Sequence, residues 1–346
     1  MRIGVFDIGT KAVRLLIGDT NNSAAISNQF SFSNYKNFGD LTFLGNAMVD
    51  GNIQIKDIVK TINTIKVFAQ KGKQQFKVEK FIAIGTAVFR NAKNASIIVD
   101  IIKEQTGIEI RVISSKEEAE YSMIAAIVSS QNYLEKNDTV LLIDQGGGST
   151  EISFATFNGA NSIIFESSQS FNLGTIELLN RVFNYDATFE NVYKQLLKDA
   201  EIEIKSHKSF GPKNRIKAFG LGNGIVNMTG KRGSKHQHGI ELSSQKIGYI
   251  ADKTIQEYSA VFEWEISPMQ NHPDYPEGKK KHISDIKDNY YNRAGKKTLE
   301  IPISMLLARA VYKPILDFYN IEKIRICGAG LRYGVFFSEL LDFKKD

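Results

Sequence analysis

The stretch TVLLIDQGGGSTEISF (residues 139–154) decides how this chain folds. An apolar run ends in Asp144, three glycines follow, and Ser149, Thr150 and Glu151 open a second alternating run. That order predicts a hairpin whose turn is Gly146, Gly147 and Gly148. Glycines let backbone N–H groups approach an anion and accept positive φ, so such a turn suits a phosphate. A carboxylate at each end suits a divalent cation beside it. The N-terminus repeats the plan: residues 3–6 run into Asp7, Gly9 and Thr10 before the strand-like residues 13–17. Two strand–turn–strand loops in one chain imply a phosphate gripped from both sides.

Neither loop fits two commoner phosphate signatures. No Gly-Lys-Ser/Thr follows the glycines, which excludes a Walker loop, and a strand rather than a helix comes next, which excludes a dinucleotide fingerprint. Three successive glycines also cost folding entropy unless something approaches closely, so an empty decorative turn is the weaker reading. Asp7-Ile8-Gly9-Thr10 alone would be an ordinary turn; its value comes from the pairing.

With 346 residues, two domains are the natural expectation. Apolar residues make up 42% and charged ones 24%, which excludes a disordered chain. No apolar stretch is long enough to span a membrane, and Asp7 interrupts what would have to be a signal-peptide core. Cys327 is the only cysteine, so no intrachain disulfide forms and a cytoplasmic location is expected. A net charge of +6 fits a polyanionic partner without saying which one. The basic residues lack an interleaved aromatic platform, which argues against nucleic acid.

Strand-like runs at 2–6, 13–18, 80–84 and 108–113 alternate with helical periodicity at 55–68 and 95–102. A helix at 115–130 precedes a second αβ unit with strands at 139–143, 151–157 and 162–166 and helices at 175–183 and 191–205. Strands at 216–219 and 323–327 each meet a glycine-rich turn and a helix. The reading is α/β, with mixed rather than purely parallel sheets flanked by helices. Residues 267–297, with three prolines and six lysines, read as an exposed basic insertion.

Several side chains carry competing readings. Ser115 and Glu118 match the Ser-x-x-Glu capping box, and spacing alone favours that role for Glu118; Ser114 with Glu117 offers the neighbouring register. A helix start at a domain junction also suits a carboxylate aimed at a water beside a phosphate. Thr86 and Arg90 lie one turn apart at a strand-to-helix junction, where a guanidinium suits phosphate oxygens. Gly222, Asn223 and Gly224 form either a nucleotide cradle or a tight strand–helix contact. His238, with Lys231 and Arg232, is a candidate polyanion contact, because no carboxylate or cysteine nearby completes a metal set.

Taken in order, DIGTKAVR, LTFLGNAMVDGNI, GTAVFRNAKN, ISSKEEAEY, IDQGGGSTE, SFNLGTIEL, GLGNGIVNM, His238-Gly239 and GAGLRYG resemble the exopolyphosphatase / guanosine pentaphosphate phosphatase family of the actin-like ATPase superfold. The resemblance runs over nearly the whole chain. It implies two ribonuclease-H-like domains, residues 1–118 and 119–330, closing on an active-site cleft, with residues 331–346 as a helix returning to the first. It implies Glu118 as general base and Asp7, Asp144 and Glu151 as ligands of Mg²⁺, with Mn²⁺ as an alternative. Gly9, Thr10, Lys11, Arg90, Gly146, Gly147, Gly148 and Ser149 would bind substrate phosphate. The implied reaction is release of terminal phosphate from polyphosphate or guanosine penta/tetraphosphate. A small-molecule kinase of the same superfold and a non-catalytic polyphosphate or alarmone sensor are the alternatives, and dimerisation is left open.

Five positions depart from the family pattern. The first loop reads Gly9-Thr10-Lys11-Ala12 where Gly-Ser-Asn-Ser is usual, Glu177 replaces an arginine, and Tyr333 replaces a glutamate. Lys11 can still bind phosphate as a point charge.

Overall fold

The computed structural model describes residues 1–20, 30–45, 48–159, 162–184, 189–206, 215–229, 237–266 and 300–340. Its framework is two mixed sheets. In the first, β1 (Arg2–Ile8) pairs antiparallel with β2 (Val13–Asp19), which pairs antiparallel with β3 (Lys36–Asp40). On its other side β1 runs parallel to β4 (Lys80–Gly85), and β4 to β5 (Ile110–Val112). The second sheet is built on β6 (Asp138–Gln145), antiparallel to β7 (Thr150–Phe157), which continues to β8 (Ile163–Phe171). Beyond β6 lie β9 (Ile216–Leu221), β11 (Lys323–Ile326) and the short β10 (Glu241–Ser243).

Strand residues alternate between faces, and both faces are buried, which explains the apolar runs. In β1, Ile3 and Val5 face one core while Phe6 and Ile8 face another. The second core is closed by α1 (Ile55–Phe76) and α3 (Ala95–Thr106), through Ile58, Ile62, Ile65, Ile98 and Ile102. The first core is shared by both sheets. Val140, Leu142, Phe219 and Leu221 enter it from the second sheet, and α4 (Ser115–Ser130) and a terminal helix (Leu331–Leu340) fill the space between. On the far face of the second sheet lie α5 (Thr175–Asn184), α6 (Phe189–Lys205), α7 (Asn223–Asn227), α8 (Ser244–Ile266) and α9 (Glu300–Phe318). With the short α2 (Ala87–Asn91) and the terminal helix α10, the layers run helices, sheet, helix pair, sheet, helices.

No described helix is long and apolar enough to cross a membrane. Cys327 is buried directly after β11. The basic residues Lys231 and Arg232, and the whole of the segment 267–297, lie outside the described residues.

Candidate active site

The two glycine hairpins face each other across one cavity of ≈ 190 Å³. A Cβ placed on Gly147 would lie 3.3 Å from Cβ of Lys11, and one on Gly148 would lie 2.9 Å from Oγ1 of Thr10. Asp7, Gly9, Thr10, Lys11 and Ala12 line one wall, and Asp144, Gly146, Gly147, Gly148 and Ser149 line the other. Glu118, Thr86, Gly222, Asn223 and Arg332 complete the enclosure.

The second hairpin is held from behind by the start of α5. The backbone N–H of Thr175 donates to O of Gly146 at 2.9 Å, and that of Ile176 to O of Gly147 at 2.8 Å. With those carbonyls engaged, the loop is fixed by its outer face. Gly174 makes the approach feasible: a Cβ there would sit 2.3 Å from the carbonyl carbon of Gly148 and 2.4 Å from N of Ser149. Thr10 and Lys11 are braced in turn by their own carbonyls, which accept from the backbone N–H groups of Gly45 and Phe43.

Glu118 is free of the cap that its spacing favours. Ser114 is the N-cap of α4, its hydroxyl accepting from N of Glu117 while the Glu117 carboxylate accepts from the Ser114 backbone. The box therefore forms one register earlier, and Glu118 turns toward the cavity. There its carboxylate accepts from the Arg90 guanidinium at 2.7 Å, and the same nitrogen reaches O of Ile113 at 3.1 Å. Arg90, in the last turn of α2, thus contacts Glu118 from outside the cavity lining. Burial, and then the charge of Glu151, hold the Glu118 carboxyl well above the ordinary glutamate value; Arg90 pulls the other way.

One turn further along α4, Ser122 donates to Asp144 at 2.7 Å, tying the helix that carries Glu118 to the second loop. Burial raises the Asp144 pKa, the Ser122 bond opposes it, and Asp7 adds like charge. Asp7 stands opposite Arg14 in the β1–β2 register and accepts from it at 3.2 Å. The matching position opposite Asp144 is Glu151. The half-buried Asp144 and the buried Glu151 face each other there, and burial first, then Asp144, push Glu151 up to about 7. Hydroxyls of Ser149 and Ser170 donate to it at 2.7 and 2.9 Å, and it does not line the cavity.

Among the described residues no group of three or more His, Cys, Asp or Glu side chains is placed to hold a metal ion unaided. Asp7 and Asp144 still suit Mg²⁺: they are hard oxygen donors on facing walls, and Mg²⁺ is commonly held by one or two carboxylates with substrate phosphates and water. Glu151 stands behind this pair.

Other candidates separate. Gly222 and Asn223 line the cavity, whereas Gly224 is a packing position, where a Cβ would meet O of Ser304 at 2.5 Å. His238 lies outside the cavity lining and braces its edge. The backbone N–H of Gly328 donates to its Nδ1 at 3.1 Å, which leaves Nε2 to donate to O of Ser129 at 3.0 Å. Burial lowers its pKa, in keeping with an Nδ1 that accepts. Tyr333 packs with Tyr35 and Phe32, and its hydroxyl accepts from Asn37, so this departure serves the core. Glu177 pairs with Arg181 one turn along α5. Arg14, Ser122, Ser170 and Arg332 are site residues that no local sequence signal singled out.

Two facing hairpins at the ends of paired mixed sheets define the actin-like two-domain fold. A crystal structure of the Aquifex aeolicus member of the Ppx/GppA family matches over 100% of this chain and 99% of its own, with a TM-score of 0.67 and 24% identity. The family model of the Ppx/GppA phosphatases matches residues 43–255, more than half of the chain, and the chain belongs to that family. Among curated relatives, exopolyphosphatase 1 of Mycobacterium tuberculosis is 26% identical over 153 residues, 44% of this chain and 42% of its own. A bifunctional 3-dehydroquinate synthase/phosphatase of Fusobacterium nucleatum is 26% identical over 211 residues, 58% of this chain and 30% of its own. The matched regions thus span less than half the length of these relatives.

Proposed function

We propose that this chain hydrolyses phosphoanhydrides, releasing the terminal phosphate of polyphosphate or guanosine pentaphosphate. The observation that supports this most is the pairing of two glycine hairpins across one cavity with the half-buried, Arg90-bonded carboxyl group of Glu118 on its wall. Membership of a phosphatase family and kinship with exopolyphosphatase 1 point the same way.

In this reading the terminal phosphate lies between Gly9–Lys11 and Gly146–Ser149. Backbone N–H groups and Lys11 offset its charge, and Arg90 steadies the base rather than the substrate. Glu118 orients a water and takes its proton as the water oxygen bonds to phosphorus. The bridging P–O bond breaks, and its electron pair leaves on the shortened chain. A carboxyl whose pKa is raised toward neutrality is a better proton acceptor than an ordinary one. Asp7 and Asp144 would hold the Mg²⁺ that the family implies, which offsets phosphate charge when bound. Phosphoryl transfer depends mainly on such positioning and electrostatics.

The test is phosphate release from polyphosphate and from guanosine pentaphosphate with Mg²⁺, beside Mg²⁺-ATP with a panel of small acceptor alcohols. Release into water without an acceptor is expected. Transfer to an acceptor, or binding with no turnover, contradicts the proposal.

A further inference from the structure

Arg332 is a cation short of a counter-charge. It opens α10, lines the cavity and is only partly exposed there. Among the described residues its one hydrogen bond is a long one, 3.5 Å to O of Phe38, and it makes no ion pair. The charges that act on it most are Arg14, which repels it, and Asp7, which is already bonded to Arg14. A guanidinium packed into protein beside another guanidinium, with its nearest acid shared, is costly to keep. Removing it from water pulls its pKa down to about 10, so it is still charged at neutral pH. An anion in the cavity would supply what the protein does not.

The placement says which anion. Arg332 donates to O of Phe38 on β3, Asp7 lies on β1, and Glu118 is held by Arg90, whose same nitrogen reaches O of Ile113 just beyond β5. In the sheet order β3-β2-β1-β4-β5, Glu118 and Arg332 thus stand on opposite sides of Asp7. In-line displacement puts the leaving oxygen on the side opposite the attacking water. With water at Glu118 and phosphorus near the aspartates, the leaving side faces Arg332.

We propose that Arg332 binds the phosphate on the leaving side of the reacting anhydride, so that the cavity favours substrates with a second phosphate over phosphate monoesters. This rests on the hydrolase reading above. A planar fork suits two oxygens of that phosphate, and its charge stabilises the oxyanion released as the P–O bond breaks.

The experiment compares wild type, Arg332→Gln and Arg332→Lys on tripolyphosphate and on p-nitrophenyl phosphate, a monoester with no second phosphate. Loss of a buried charge partner predicts at least about a thirtyfold fall in kcat/KM on tripolyphosphate for Arg332→Gln. On the monoester the fall stays below about threefold, and Arg332→Lys lies between on tripolyphosphate. Equal losses on both substrates overturn the proposal, since a merely structural role would produce them. Calorimetric binding of tripolyphosphate separates this from failure of the hydrolase reading. If wild type binds without turnover, weaker binding by Arg332→Gln still supports the arginine's role, and unchanged binding refutes it. If wild type binds no tripolyphosphate, both readings fall. Arg332→Gln removes an under-paired cation, so its thermal midpoint should not drop; a drop contradicts the premise.

Discussion

Replacing Gly174 by alanine tests whether the second hairpin must sit where α5 holds it. The new Cβ would lie 2.3 Å from C of Gly148, 2.4 Å from N of Ser149 and 2.5 Å from O of Gly147. All three are backbone atoms, so no side chain can swing aside. An ordinary carbon contact of about 3.5 Å requires the loop to retreat by roughly 1 Å. That retreat also stretches the bonds from Thr175 and Ile176, now 2.9 and 2.8 Å. Overpacking of this kind costs about 1–3 kcal/mol of stability. A misplacement of about 1 Å in a positioned site costs on the order of a hundredfold in rate. The assay is phosphate release from tripolyphosphate at a temperature where melting curves show the variant folded. Gly248→Ala is the control, because its nearest neighbour is Cε of Lys313 at 3.8 Å. A folded Gly174→Ala protein with wild-type turnover would refute the claim that loop position sets the rate.

Three further outcomes follow from the same geometry. Ser122→Ala removes the hydroxyl that donates to Asp144 and should weaken Mn²⁺ binding to the substrate-free protein about tenfold, read by electron paramagnetic resonance; unchanged binding contradicts the positioning role. Glu118 must be ionised to accept a proton, so activity should be lost as pH falls, beginning well above the ordinary 4.5, and Arg90→Lys, which disturbs the guanidinium contact, should move that acid limb upward. A limb that stays in place argues against Glu118 as the titrating group. Glu151 has its folded pKa raised from 4.5 to about 7, so the folded state holds the extra proton between those values. Its contribution to stability is present below pH 4.5 and is lost as pH rises toward 7. The melting temperature of wild type relative to Glu151→Gln should therefore fall across that window, and parallel profiles would contradict it.

The hairpins were legible because their signal is local: a strand, a carboxylate, glycines and a second strand within one short stretch. Helix α4 was legible too, but its cap was not. Ser114-Ser115 and Glu117-Glu118 offer two boxes one residue apart, and only the backbone decides. Ser114 sits at φ −67° and ψ 160°, outside the helix, so it takes the cap and releases Glu118. Strand β3 reads KNFGD, with no β-branched residue, and pairs only because β2 offers it an edge. Ser170 and Ser122 reach their carboxylates across 19 and 22 positions, and Arg332 meets Phe38 across 294. No sequence window contains such contacts. The two hairpins also differ where they look alike: the partner opposite Asp7 is Arg14, and opposite Asp144 it is Glu151. That difference makes one carboxylate an ion-pair member and the other a buried, raised acid.

Substituting Glu118 by glutamine while measuring turnover and tripolyphosphate affinity side by side addresses the central claim most directly. Glutamine keeps the shape and can still meet Arg90, but it accepts no proton. Turnover should fall by about 10²–10⁴-fold with affinity held within a few-fold of wild type. Wild-type turnover in a folded Glu118→Gln protein would contradict the account.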